Sequence, residues 1–94
     1  MLTGAQIRAA RGLLNMSVAE LASRTGLAVN TIRRAEATNE EAPITQANIK
    51  LLTATLREAG VSFIEAGTMG PGVQLTNALP LPTQRRRKTR ESPR

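Results

Sequence analysis

Asn30, Arg33 and Arg34 carry the most telling chemistry in the sequence, an amide and two guanidinium groups set close together in the stretch Val29 to Arg34. An amide or a guanidinium holds two hydrogen-bonding groups in one plane, so it can bond a base edge in two places at once, asparagine to adenine and arginine to guanine. Val29 adds a methyl surface of the kind that touches thymine. If the segment is helical with Ile32 and Ala35 pointing inward, the helical repeat leaves Val29, Asn30, Arg33 and Arg34 facing out. A short, polar and basic helix face of this kind is what the major groove of DNA admits.

The composition points away from other chemistry. The 94 residues contain no cysteine, histidine, aspartate, tryptophan or tyrosine. Without cysteine there is no disulfide framework, and without cysteine and histidine the usual ligands of zinc and other transition metals are missing, so no metal is expected. General acid–base work would fall to glutamate, lysine or arginine, and no pair of glutamates sits in an apolar setting that would tune it. The expectation is a non-enzyme that needs no cofactor. No apolar run approaches the roughly 20 residues of a membrane span, and the start MLTGAQIRAARG has no signal-peptide core. A cytoplasmic protein with no membrane contact is expected. Phe63 is the single aromatic residue. Platforms for single strands or RNA stack bases on several aromatics, so Phe63 reads as core.

The net charge of +6 is concentrated at one end. Arg85, Arg86, Arg87, Lys88, Arg90 and Arg94, offset by Glu91, supply five of those six charges and leave one for residues 1–84. The argument for DNA therefore rests on where Arg11, Arg24, Arg33 and Arg34 sit rather than on the total. The run RRRKTR reads equally as a solvated terminus or as an arm lying on DNA phosphates.

Two short helices joined by a tight turn must hold the Asn/Arg face. Ser17 and Glu20 have the spacing of a capping box, and Leu21 and Ala22 fall on the inward side of a helix from about Val18 to Arg24. The turn Thr25-Gly26-Leu27 follows, because a left-handed backbone is cheap for glycine. The next helix, about Val29 to Ala37, starts at Ala28 without a capping side chain, a loss of about 1 kcal/mol of helix stability. Upstream, Thr3 and Gln6 form a capping box for a helix reaching about Leu14, with Ile7, Ala10 and Leu14 toward the core and Arg8 and Arg11 near its edge. Downstream, Thr38 to Pro43 reads as a loop, and Thr45 caps a helix from Gln46 to Ala59 with a stripe of Ile49, Leu52 and Leu56, stopped by Gly60.

The period then changes to that of strands. Val61–Ile64 and Gly72–Thr76 alternate around the turn-rich Gly67 to Pro71, so a hairpin is predicted, with Val61, Phe63, Val73 and Leu75 on one face against the fourth helix. A lone hairpin is marginal in water, and its free edge suits pairing with a second copy, which makes these four residues the expected dimerisation element. From Leu79 onward prolines and charges replace any apolar periodicity, and disorder is expected. The chain thus divides into a helical DNA-binding domain over 1–60, a hairpin over 61–77 and a Pro/Arg-rich tail over 78–94.

The segment SVAELASRTGLAVNTIRRAE resembles the helix-turn-helix of the Cro/cI-type phage repressor family, also called the XRE family, through Ala19–Ala22, Gly26, Ile32 and Glu36, and the likeness extends over roughly residues 3 to 64. The GPGV stretch after it is similar to the tail of many short bacterial regulators. The resemblance implies a mainly α, lambda-repressor-like four-helix domain followed by the hairpin. It implies base reading by Val29, Asn30, Arg33 and Arg34, backbone contacts by Arg11, Ser17, Val18 and Thr31, and a structural pair between Arg11 and Glu36. It also implies double-stranded DNA as partner and a repressor binding an inverted repeat as a homodimer. A protein-interaction module on the same fold, an antitoxin or anti-activator, is the alternative, and an excisionase-like architectural role a third. The chain departs from the family at Ala28, where relatives place Ser or Thr, and at Glu40 and Glu41, where they often carry basic or amide residues. Those carboxylates would repel a nearby DNA backbone, so either the loop turns away or the docking is tilted.

Overall fold

Thr3, Ser17 and Thr45 each start a helix in the computed structural model, which describes residues 1–76. The elements are α1 (Gly4–Leu14), α2 (Val18–Thr25), α3 (Val29–Glu36), α4 (Gln46–Ala59), β1 (Val61–Ile64) and β2 (Gly72–Leu75). The tail expectations, including those for Arg85, Arg86, Arg87, Lys88 and Arg90, lie outside the described residues.

Local chemistry explains most boundaries. The Thr3 hydroxyl accepts from the Gln6 amide at 3.0 Å, and the Gln6 side chain accepts from the Thr3 amide at 2.9 Å, completing a reciprocal box. At Ser17 only half of the expected box forms. The hydroxyl accepts from the Glu20 amide at 3.0 Å, but the Glu20 carboxylate turns forward to Arg24 at 2.9 Å. A cation four residues on offers it a charged donor in place of a neutral amide, and charge-assisted bonds are the stronger. Gly26 ends α2 with φ of 79°, the left-handed turn expected of it. Ala28 starts α3 with no side-chain cap.

One face of each helix builds a shared core. Ile7 and Ala10 of α1, Leu21 and Ala22 of α2, Ile32 and Ala35 of α3, and Leu52 and Leu56 of α4 are all buried, as their spacing requires. Val61 of β1 joins the same core with no exposed surface, which ties the hairpin to the helices. Burial of such a side chain contributes roughly 1.5–3 kcal/mol. The segment read as a plain loop is partly paired. Glu41 bridges Thr3, the Gly4 amide donates to the Glu40 carbonyl at 2.9 Å, and the Ala42 amide donates to the Leu2 carbonyl at 3.0 Å.

The strands are antiparallel, with Val61 opposite Leu75 and Phe63 opposite Val73. Cross-strand partners share a face, so the four apolar residues lie together. That face covers α1 as well as α4, a correction to the expected seat on α4 alone. The reason lies in Gln6. Its side-chain amide donates to the carbonyls of Ile64 and Gly72 at 3.0 Å each and fastens the turn end of the hairpin to α1. The Val61 side chain belongs to the chain's own core and Phe63 and Val73 are half-buried, so of the four expected dimer residues only Leu75 is substantially exposed. The bond from the Thr76 amide to the Gly60 carbonyl makes residues 60 and 76 a hydrogen-bonded pair. By alternation, the main-chain groups of Val61, Phe63, Val73 and Leu75 then point to the two outer edges of the hairpin. None of the described helices is long and apolar enough to cross a membrane.

Candidate nucleic-acid interface

Helix α3 stands against the core through Ile32, Ala35 and Glu36, and this fixes what it shows outside. Asn30, Arg33 and Arg34 are exposed. Val29 departs from expectation. It is half-buried against the core, because it lies one turn before Ile32 on the inward flank and is only partly available to a base. Thr31 is also half-buried, on the opposite flank beside Arg34.

The C-terminal end of α3 is held by three residues of α1. Arg11 of α1 forks onto the Glu36 carboxylate, with Nε at 2.6 Å from one oxygen and Nη2 at 2.7 Å from the other, and its Nη1 donates to the Met16 carbonyl at 3.0 Å. Three of the guanidinium's five donors are thereby committed, and Arg11 is 21% exposed. Its expected phosphate contact is limited to the remaining N–H groups. The hydrogen bond to Glu36 raises the Arg11 pKa above its ordinary value, against the opposing pull of burial. Arginine is effectively always protonated, so the group is charged at any ordinary pH.

Two further residues have a role here that the sequence does not announce. Arg8, seen there only as an edge cation, donates to the main-chain carbonyls of Glu36 and Thr38 and to the side-chain oxygen of Asn39, so it closes the end of α3. Gly4 is the other. A Cβ at this position would run into the carbonyl oxygens of Ala35 and Thr38, so the start of α1 meets the end of α3 at a distance only glycine permits. The apolar period of α1 does mark its inner face, but nothing in that period announces these contacts across the chain.

At the start of α2, Ser17 is exposed and Val18 is half-buried against the core. The Ser17 hydroxyl takes the Glu20 amide, and the amides of Val18 and Ala19 have no acceptor among the described residues. Ser17, just ahead of them, lines a shallow groove with Arg11, Gly12, Asn15 and Met16, and free amides at a helix start are able to take an anion. A second open groove, of about 560 Å³, runs between α3 and α4 and includes Thr31, Arg34, Glu41 and Asn48.

Pairing within the fold sharpens the charge pattern. Arg11 is matched by Glu36 and Arg24 by Glu20, while Arg33 and Arg34 form no ion pair among the described residues. A nearly neutral body thus presents uncompensated positive charge on the outer side of α3. Among the described residues no three His, Cys, Asp or Glu side chains come together as a metal site. In comparisons with known proteins, no family model matches this chain and no curated protein matches it closely enough to indicate a relative.

Proposed function

We propose that this chain is a cytoplasmic, sequence-specific double-stranded DNA-binding regulator of lambda-repressor-like fold, a repressor that binds an inverted repeat as a homodimer. The observation that carries this reading is the setting of α3. The helix is buried along Ile32 and Ala35, fastened at its end by Arg8 and Arg11, and without partners among the described residues at Asn30, Arg33 and Arg34. A support this specific for one short polar helix has an evident use if the helix enters the major groove with paired donors toward base edges. The uncapped amides at the start of α2 suit a backbone phosphate. The likeness of Ala19–Ala22, Gly26, Ile32 and Glu36 to the Cro/cI-type pattern supports the same reading.

Dimerisation is assigned to the hairpin, through main-chain pairing along an outer edge with Leu75 beside it. A two-fold axis there would set two α3 helices about one helical turn apart, on half-sites centred roughly 10 base pairs or a multiple apart. Footprinting on the DNA upstream of the protein's own gene tests the proposal. Protection of an inverted repeat is expected. Uniform or absent protection at concentrations that saturate non-specific binding would overturn it.

A further inference from the structure

The groove between α3 and α4 contains a charge that the proposed function does not use. Arg34 and Thr31 form its α3 side, Thr45 and Asn48 its α4 side, and Glu41 stands at its rim. Arg34, grouped above with the base readers, lies with Thr31 at the flank of the groove-entering face of α3, where its guanidinium suits a backbone phosphate rather than a base edge. Glu41 lines this groove together with Arg34, and a neighbouring groove with Arg57 as well, and it forms no ion pair with Arg34.

Glu41 is held where it is by main-chain bonds. Residues 40–42 are paired with 2–4 through the Thr3–Glu41 bridge and the two flanking hydrogen bonds. Side chains alternate along such an extended segment. Ala42 is buried in the core, and the Glu41 side chain is therefore sent the other way. Glu40 emerges on a different flank, beside Thr3, Asn39 and Pro71. Of the two acidic residues in this loop, only Glu41 borders the Arg34 groove.

We propose that Glu41 sets the affinity for DNA by opposing a backbone phosphate at Arg34. The proposal rests on the DNA-binding reading of α3 and assigns that surface a residue that limits it. A phosphate that approaches Arg34 must also approach the side chain of Glu41, whose main chain is held in place, so one electrostatic contact per protomer is weakened. Phosphate contacts carry no sequence information. Glu41 therefore lowers binding to every duplex by one factor and leaves the preference among sequences to Asn30 and Arg33.

The test uses the full chain, with Glu41→Gln and Glu40→Gln as variants that change net charge identically. The probes are a duplex recovered by the wild type from a randomised pool and a random-sequence duplex of equal length, each measured across a salt series. Glu41→Gln should bind both duplexes more tightly by the same factor. Its salt slope should steepen by about 0.9 per bound protomer, so that the gain at 50 mM salt exceeds that at 200 mM by roughly threefold per protomer. Glu40→Gln should keep the wild-type slope. An unchanged slope in Glu41→Gln, or an equal change in both variants, overturns the proposal while leaving DNA binding intact. A wild type that recovers no sequence from the pool overturns the DNA reading itself, and this proposal with it.

Discussion

Replacing Glu36 by alanine should cost this fold a large part of its stability. The carboxylate accepts two charge-assisted bonds from Arg11, at 2.6 and 2.7 Å, and is only 8% exposed. Such bonds are worth about 1.5–3 kcal/mol each, and removing one partner of a buried pair typically costs about 3–5 kcal/mol, because the other charge is stranded. Two effects lower the figure here. Arg11 keeps 21% of its surface in water and can turn toward it. Glu36 is also the last residue of α3, where a negative charge opposes the helix dipole by roughly 0.3–1 kcal/mol. A net loss of about 2–3 kcal/mol remains, against a total of roughly 5–10 kcal/mol for a domain of this size.

At about 4–8 °C per kcal/mol for so small a domain, the melting temperature should fall by roughly 10–20 °C. Far-UV circular dichroism against temperature reads it directly, and urea titration should move the midpoint with little change in slope. Because the pair is shielded, high salt should not erase the difference, as it would for the exposed Arg24–Glu20 pair. Affinity for DNA should fall as well, since α3 loses one of its anchors. Glu36→Ala melting within about 2 °C of the wild type, at most half the shift expected from a single kcal/mol, would refute the reasoning and mark the pair as dispensable.

Three further outcomes are expected. Arg33→Ala should relax preference at one or two base positions by about 1–3 kcal/mol, and selection from a randomised pool that returned the wild-type motif with undiminished information would exclude Arg33 as a reader. Ala28→Ser should stabilise the chain by about 1 kcal/mol, by supplying the missing cap of α3, and a melting temperature at or below that of the wild type would contradict it. Gly4→Ala should be disproportionately damaging for a single methyl, because the added carbon meets main-chain carbonyls rather than a movable side chain. A loss of about 1–3 kcal/mol or more is expected from such overpacking, read by urea titration, and a near-neutral result would mean that α1 and α3 can separate freely.

What the sequence made legible was local. Thr3, Thr45, Gly26 and Gly60 announce helix ends because each acts on backbone within a few residues, and the stripes Ile7/Ala10 and Leu52/Leu56 follow from the helical repeat alone. Ser17 and Glu20 show the limit of a motif: the spacing was right, but Arg24 offered Glu20 a stronger partner than its own backbone. Val29 shows the limit of a helical wheel, since a residue at the flank is neither inside nor outside until its neighbours are in place. The remaining contacts span distances that no period encodes. Arg8 reaches carbonyls 28 and 30 residues away, and Gln6 reaches carbonyls 58 and 66 residues away. Side-chain bonds to main chain leave no complementary partner residue to notice, so Arg8 looked like a surface cation and Gln6 like a cap alone.

Helix α3 is mounted like a cantilever. Its root is stiff, with Gly4 against Ala35, Arg8 on the last carbonyls and Arg11 on Glu36, whereas its tip begins at an alanine that bonds nothing with its side chain. Compliance should therefore grow from Glu36 back toward Val29, and amide hydrogen exchange should show protection rising along the helix in the direction of the chain. Asn30 sits near the compliant end and Arg33 closer to the root. On the proposed reading, the two would meet DNA differently: the arginine as a preset pin that fixes register, the asparagine as a part that settles once the first turn has found a partner. The entropy lost on binding would fall mainly on that first turn, a small and local cost. A cap introduced at residue 28 would then do more than add stability, because it would stiffen the tip and leave the chain less able to adjust to imperfect sites.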